Sequence, residues 1–239
     1  MLRKLLIVFA SGLVIAVLAL SAAWLSGGRE FRKQVFDDGV EWKFGGDDDG
    51  YRGPKTTRSF AIAPGGRLTM AIPVDLEFRR GDQPGMTVEG PKEAVERLVW
   101  RDGRLSLDHQ GSLRKSLKVV IVSPRIDALD LEAPADVDLK GLDQDEFHLT
   151  ANGAVSLEAQ GRVRRLFVDS EGAADLDLSR VVGEDATVRL DGVGNVEIAA
   201  TRLADVTING AGNVSLKNKP QTMRTAIHGV GSVDRDYED

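Results

Sequence analysis

A chain of 239 residues with a formal net charge of −6 and no cysteine lacks the features of several functional classes. The acidic balance argues against a nucleic-acid partner, which needs a basic stripe, and the missing cysteines exclude disulfides, thiol chemistry and cysteine-ligated zinc. Aromatic residues make up 5% of the chain and glycine occurs 26 times, which favours a thin, aliphatic core with glycine corners over an ordinary β-sandwich.

The first 26 residues are predicted to be a membrane anchor or a signal segment. Residues 5–25 contain no charge, and as a helix they would span about 31 Å, close to the hydrocarbon thickness of a bilayer. Two basic residues precede them, which favours a cytoplasmic N-terminus. The alternative is a signal peptide cleaved at Ser21-Ala22-Ala23. We expect a protein anchored in the inner membrane and facing the periplasm, or secreted to the periplasm if the segment is cleaved.

Residues 27–57 are predicted to be a solvated tether between the membrane segment and a folded domain. Glycine, aspartate and lysine dominate this stretch, and no hydrophobic periodicity lasts. The run Asp47-Asp48-Asp49 lacks the alternating ligands and the closing glutamate of an EF-hand loop, so we expect no calcium site there.

Residues 58–125 alternate less regularly and are predicted to form the irregular N-terminal part and cap of a β-domain. One helical turn is expected within residues 92–97, and a hairpin is expected at Asp102-Gly103. The nearly continuous apolar run at residues 117–122 is typical of a fully buried strand.

Residues 126–239 are predicted to be the repeated part of the domain, because one phrase occurs six times there in different spellings. Spacings of 18, 21, 20, 18 and 19 residues separate a late aliphatic anchor in each copy. A near-constant period of this size indicates stacked repeats. The anchors are Val137, Val155, Leu176, Val196, Val214 and Val233.

Alternation within each copy indicates extended chain with one buried face, because successive strand side chains point to opposite sides. The inward positions run large, large, small, small, large, large, which predicts a tight corner between two strands. A coil of this kind buries its inner face only by stacking, so we predict a single-stranded parallel β-helix, or β-solenoid, with coils of about 19 residues. The predicted corner glycines are Gly153, Gly172, Gly192, Gly194, Gly210, Gly212, Gly229 and Gly231.

These phrases resemble the head GIN domain of the family named "putative auto-transporter adhesin", a bacterial envelope family with repeated Ser-Gly-Ser-Gly-type phrases. The resemblance covers about residues 58–233 and includes RSFAIAPGGRLTMAIPVDLEFRRGD, GPKEAVERLVWRDGRLSLD and NKPQTMRTAIHGVGSV. The stretches Ala133-Pro134-Ala135, Ala151-Asn152-Gly153 and Gly172-Ala173-Ala174 depart from the double-glycine form. The resemblance implies a parallel β-helix with an adhesive role and no established active site.

The acidic residues that follow the anchors are the candidate ligand face. Carboxylate pairs can serve as acid and base or as calcium ligands. Here the alternation places them outside, where repeated acids keep a sheet soluble, and a neighbouring pair supplies fewer oxygens than the six to eight that calcium takes. The row is Asp138, Asp177, Glu197 and Asp234, and Ser156 and Ser215 are expected to interrupt it.

Other candidate ligands are weaker. His109, His148 and His228 lie in different phases of the repeat, without the spacing of metal ligands. Asn195 and Asn213 occupy equivalent outward positions and are expected to stack as a ladder. We therefore predict no catalytic residue, no metal site and no cofactor.

The sequence predicts a non-catalytic, adhesin-head-like binding or structural module displayed by the cell envelope. One alternative is a carbohydrate-active enzyme of the β-helix type, either a lyase or a hydrolase. Another is a regulatory partner of an envelope complex. The expected partners are the membrane, through the N-terminal segment, and a surface glycan or an envelope protein.

Overall fold

The computed structural model describes residues 54–108 and 113–237. The predicted anchor and nearly all of the predicted tether therefore lie outside the described residues. In the part that is described, no helix is long and apolar enough to cross a bilayer.

The described residues form strands almost throughout, with one short helix, α1. The elements in chain order are β1 Lys55–Phe60, β2 Arg67–Met70, β3 Val74–Arg80, β4 Gly85–Pro91, α1 Lys92–Glu96, β5 Leu98–Arg101, β6 Arg104–Leu107, β7 Leu117–Ser123, β8 Ala128–Leu131, β9 Ala135–Ala151, β10 Ala154–Ser170, β11 Ala173–Leu190, β12 Val193–Ile208, β13 Ala211–Leu216, β14 Thr222–Ile227 and β15 Val230–Arg235.

Strands β8 to β15 stack coil upon coil with parallel pairing, which confirms the predicted all-β solenoid. Each coil contributes to two walls. The first wall contains β3, the first parts of β9 to β12, β13 and β15. The second wall contains β2, β8, the last parts of β9 to β12, and β14.

The chain passes between the walls at two edges, which we name the glycine corner and the return bend. In the coil of β10 and β11 the glycine corner is Glu171-Gly172, and in β10 the return bend is residues 160–164. Strands β9 to β12 continue through their return bends and reach 16 to 18 residues. They do so because neighbouring coils keep pairing at the bend, as Arg162 does with Asp143 and Val182.

The predicted anchor of the second repeat, Val155, is wrong by two residues. Strand pairing places Leu157 opposite Val137 on one side and Leu176 on the other. Alternation cannot detect this error, because a shift of two residues leaves every side chain on the same face. With Leu157 as the anchor, the spacings become 20, 19, 20, 18 and 19 residues, which is a more even period.

The core is a continuous aliphatic column between the two walls. The anchors Leu157, Leu176, Val196 and Val214 are each 1% exposed or less, and Phe147 is fully buried beside them. Burying one such side chain is worth about 1.5–3 kcal/mol, but a single coil cannot exclude water from its own inner face. The stacking of coils is therefore the source of stability.

The two ends of the stack differ. At one end, β4 and β1 add antiparallel strands outside β7, and the β5–β6 hairpin lies outside β2. The predicted hairpin is confirmed, with Asp102 and Gly103 at positive φ, and so is the helical turn at α1. At the other end, Ile227 and Val230 of the last coil are 41% and 79% exposed.

Candidate functional site

The structure places five of the eight predicted glycines in the glycine corner and the other three, Gly194, Gly212 and Gly231, at the second residue of the strand that follows it. At both places successive coils approach too closely for a side chain. A Cβ added to Gly172, Gly192 or Gly210 would overlap a carbonyl oxygen of the preceding coil. The same holds for Gly212 against the oxygen of Gly194, and Gly194 also has a φ of +145°. The glycines are therefore a packing requirement of the solenoid.

The predicted acidic residues lie in one column along the outer side of the first wall, although the predicted interruption at Ser156 is wrong. Glu158 pairs with Asp138 and Asp177, whereas Ser156 belongs to the neighbouring column. The two-residue error in the second anchor explains the difference. In layer order, the acidic column is Glu77, Asp138, Glu158, Asp177, Glu197, Ser215 and Asp234.

Basic side chains beside the acidic column balance much of its charge. Arg79 binds Glu77 at 2.7 Å and holds the pKa of Glu77 below its usual value. Further along the wall, Arg180 contacts Glu158 at 2.7 Å and Lys217 contacts Glu197 at 3.1 Å. These are the contacts of a solvated, ion-paired surface, where each exposed pair contributes about 0–1 kcal/mol.

The neighbouring column, which includes Ser156, contains two carboxyl groups with raised pKa values, Asp136 and Asp175. Partial loss of water around the carboxylate raises the pKa of Asp136, and the charges of nearby acids, beginning with Asp75, raise it further. The same loss of water, followed by the charges of Glu197 and Asp177, raises the pKa of Asp175. The ionised form of each group is therefore less stable in the folded protein than in the unfolded chain.

Asp175→Asn is expected to stabilise the protein at neutral pH. The pKa of Asp175 is raised in the folded protein. The contribution of this group to the free energy of unfolding is therefore fully present below its unfolded pKa and is lost as pH rises through its folded pKa. Near pH 7.5 the variant should melt about 1–2 °C higher than the wild type, and the gap should close near pH 3.5. Thermal melts across this range provide the measurement. Asn195→Asp, which adds a carboxylate in register with Asp175, should have the opposite effect.

The described histidines do not form a metal centre. His148 stacks on Phe167 at 4.5 Å between ring centroids, and His228 is exposed at the glycine corner. Among residues 54–108 and 113–237, no group of three or more histidine and acidic side chains could hold a metal ion. His109 lies outside the described residues.

A long groove follows the return bends and is the strongest candidate for a ligand site. It encloses about 880 Å³ and takes lining residues from five successive layers, from Arg125 to Thr201. At the strand spacing of about 4.8 Å, five layers extend over about 19 Å. This volume is within the range of ligand-binding clefts, about 300–1,000 Å³. We call this feature the return groove.

Ion pairs occupy the carboxylates of the return groove. Asp143 binds Arg80 at 2.6 Å, Asp145 binds Arg164 at 3.2 Å, and Glu146 binds Arg165. The two remaining acids are also paired, Asp127 with Arg125 at 3.4 Å and Glu184 with Arg202 at 3.7 Å. Gln144 is held by the backbone, since its amide donates to the carbonyl oxygens of Ile126 and Glu146. The groove therefore has a polar, ion-paired surface.

Sequence reasoning missed the return groove. Its signal is a dense run of charge in two consecutive returns, Asp143 to Glu146 and Arg162 to Arg165. One buried aliphatic residue accompanies each run: Leu142 directly precedes the first, and Val163 lies within the second. In the sequence alone, such runs indicate ordinary solvated bends. The strand register shows that one run lies directly above the other.

The stacked walls and the open groove together define a parallel β-solenoid protein with a polar groove along its return bends. The chain belongs to the family described as "Putative auto-transporter adhesin, head GIN domain", which matches residues 67–220. This membership confirms the family resemblance of the repeated phrases.

The same fold occurs in one solved structure, and a second is also similar to this chain. A crystal structure of a "putative adhesin" from Bacteroides fragilis has a TM-score of 0.58 and 17% sequence identity, and covers 76% of this chain and 97% of that chain. A "putative adhesin" from Parabacteroides merdae has a TM-score of 0.47 and 16% identity, covering 77% of this chain and 97% of that one. No curated protein matches this sequence.

Proposed function

We propose that this chain is a non-catalytic binding module, displayed outside the cytoplasm, that holds its ligand in the return groove. The observation that carries this proposal is the pairing of all five groove carboxylates with arginine. A glycosidase needs one carboxyl group as an acid and another as a base or nucleophile. Carboxylates that are occupied by ion pairs are not free for these roles, so the groove is suited to bind a ligand rather than to cleave it.

Family membership supports this proposal, since the matched domain is described as an adhesin head. Display in the envelope is supported by the uncharged segment at residues 5–25, which would anchor the module in the inner membrane or direct it to the periplasm. A surface glycan or an envelope protein is the kind of partner that a module displayed outside the cytoplasm can reach.

The proposal is tested with membrane vesicles that contain the full-length protein. The vesicles are passed over a panel of immobilised polysaccharides, and vesicles without the protein serve as the control. We expect at least one polysaccharide to retain the protein-bearing vesicles selectively. If no polysaccharide retains them, while an envelope protein is recovered in stoichiometric complex with the solenoid, glycan binding is wrong and the regulatory alternative stands.

A further inference from the structure

One charged side chain in the return groove has no partner. In the part of the chain that the structure describes, the Arg162 side chain is exposed and forms no hydrogen bond or ion pair. The acids around it are already bound by other arginines. A ligand carboxylate that meets Arg162 therefore has no existing pair to displace.

The surroundings of Arg162 indicate which chemical groups a ligand needs in addition to a negative charge. In the pairing of the coils it lies between Asp143 and Val182. Asp143 is turned to Arg80, whereas Val182 is an apolar side chain that is 57% exposed in the groove. A free guanidinium next to an exposed apolar side chain matches a ligand with a carboxylate and a C–H-rich face.

We infer that the return groove binds an acidic saccharide, with Arg162 binding a ring carboxylate and Val182 packing against the C–H face of the sugar. The planar guanidinium can donate two parallel hydrogen bonds to a carboxylate, a geometry that lysine cannot reproduce. The inference rests on the proposed function and adds the ligand class and the contact residue to it.

The backbone of the groove favours a saccharide over a peptide strand. A peptide that adds to a sheet needs a row of unpaired N–H and C=O groups. Strand β10 pairs with β9 on one side and β11 on the other, and the pairing includes Arg162 itself. Recognition must therefore use side chains, which the groove offers along about 19 Å, enough for a polymer laid along the solenoid axis.

The test uses the purified full-length protein in detergent micelles and a short oligogalacturonate as the probe. Isothermal titration should give saturable binding to the wild type, and added salt should weaken it because the contact is electrostatic. Arg162→Gln should bind at least about tenfold more weakly, since it removes a charge-assisted contact. The matched control is Arg235→Gln, which makes the same charge change in the last coil, outside the groove, and should bind as the wild type does.

A second variant tests the same contact without changing Arg162 itself. Val182→Glu places a carboxylate in register with Arg162 and should abolish binding by occupying the guanidinium. Both positions are exposed, so thermal melts of the two variants should match the wild type.

Each remaining outcome identifies which proposal is wrong. If the wild type binds the probe and Arg162→Gln binds equally well, the groove inference is overturned, while the binding function stands. Equal affinity for an uncharged oligosaccharide of the same length overturns the acidic ligand class. Tighter binding of polyglutamate overturns the saccharide in favour of an acidic peptide. Failure of the wild type to bind any saccharide, charged or neutral, overturns the proposed function as a glycan-binding module.

Discussion

Gly212→Leu is expected to lower the free energy of unfolding by about 3 kcal/mol or more, the upper range for overpacking a core. The added side chain would overlap the carbonyl oxygen of Gly194 in the preceding coil and crowd the Leu190 side chain. Backbone atoms cannot rotate away as a side chain does, so two coils would have to separate. The melting temperature should fall by about 6–12 °C.

Ala211→Leu is the matched control for this corner. Ala211 precedes Gly212 in β13, but its side chain is exposed, so the same leucine is added on the outer side of the coil. Its melting temperature should stay within about 2 °C of the wild type. Similar losses in the two variants would show that the corner is not closed against side chains.

Phe147→Ala is expected to cost about 3–5 kcal/mol, because it empties a large volume in a core that cannot collapse around it. Phe147 is fully buried in β9, where the walls above and below are fixed by strand pairing. Chemical denaturation of the variant and the wild type gives the free-energy difference directly.

Phe167→Ala provides a control with the same chemical change in the next coil. Phe167 lies on the outer side of the second wall, where it stacks on His148. Losing this contact should cost about 0.5–1.5 kcal/mol. A larger loss at Phe167 than at Phe147 would contradict the assignment of inner and outer faces.

Much of the fold could be predicted because the solenoid repeats two simple rules. Alternation identifies the inner face in nearly every coil, and small residues at fixed positions identify the corner. Leu176, Val196 and Val214 are anchors in both the prediction and the structure. What alternation cannot supply is the register of a coil whose corner departs from the pattern, as Asn152-Gly153 does.

The return groove could not be predicted from the sequence, because it depends on the register in which the coils stack. Arg162 lies beside Asp143 and Val182 only because β9, β10 and β11 stack in one particular register. In the sequence these residues are about 20 positions apart and belong to three separate polar returns. Which charges are paired, and which one is free, follows from side-chain positions that no period encodes.

The acidic column and the return groove differ in the way their charge is arranged. Along the acidic column, like charges repeat from coil to coil and flanking cations reduce the repulsion. In the groove, opposite charges are fixed around one unpaired cation. The first arrangement favours solubility, whereas the second favours an anionic ligand.

We expect the groove to hold a saccharide without cleaving it. The most direct measurement is the mass of the oligogalacturonate after long incubation with the full-length protein, together with the fraction bound. The expected result is that the protein binds the oligogalacturonate and that every chain is recovered at its original mass. Shorter chains, with a new reducing end for each break, would contradict it. A saturated non-reducing end at each break would then show a hydrolase, and an unsaturated one a lyase.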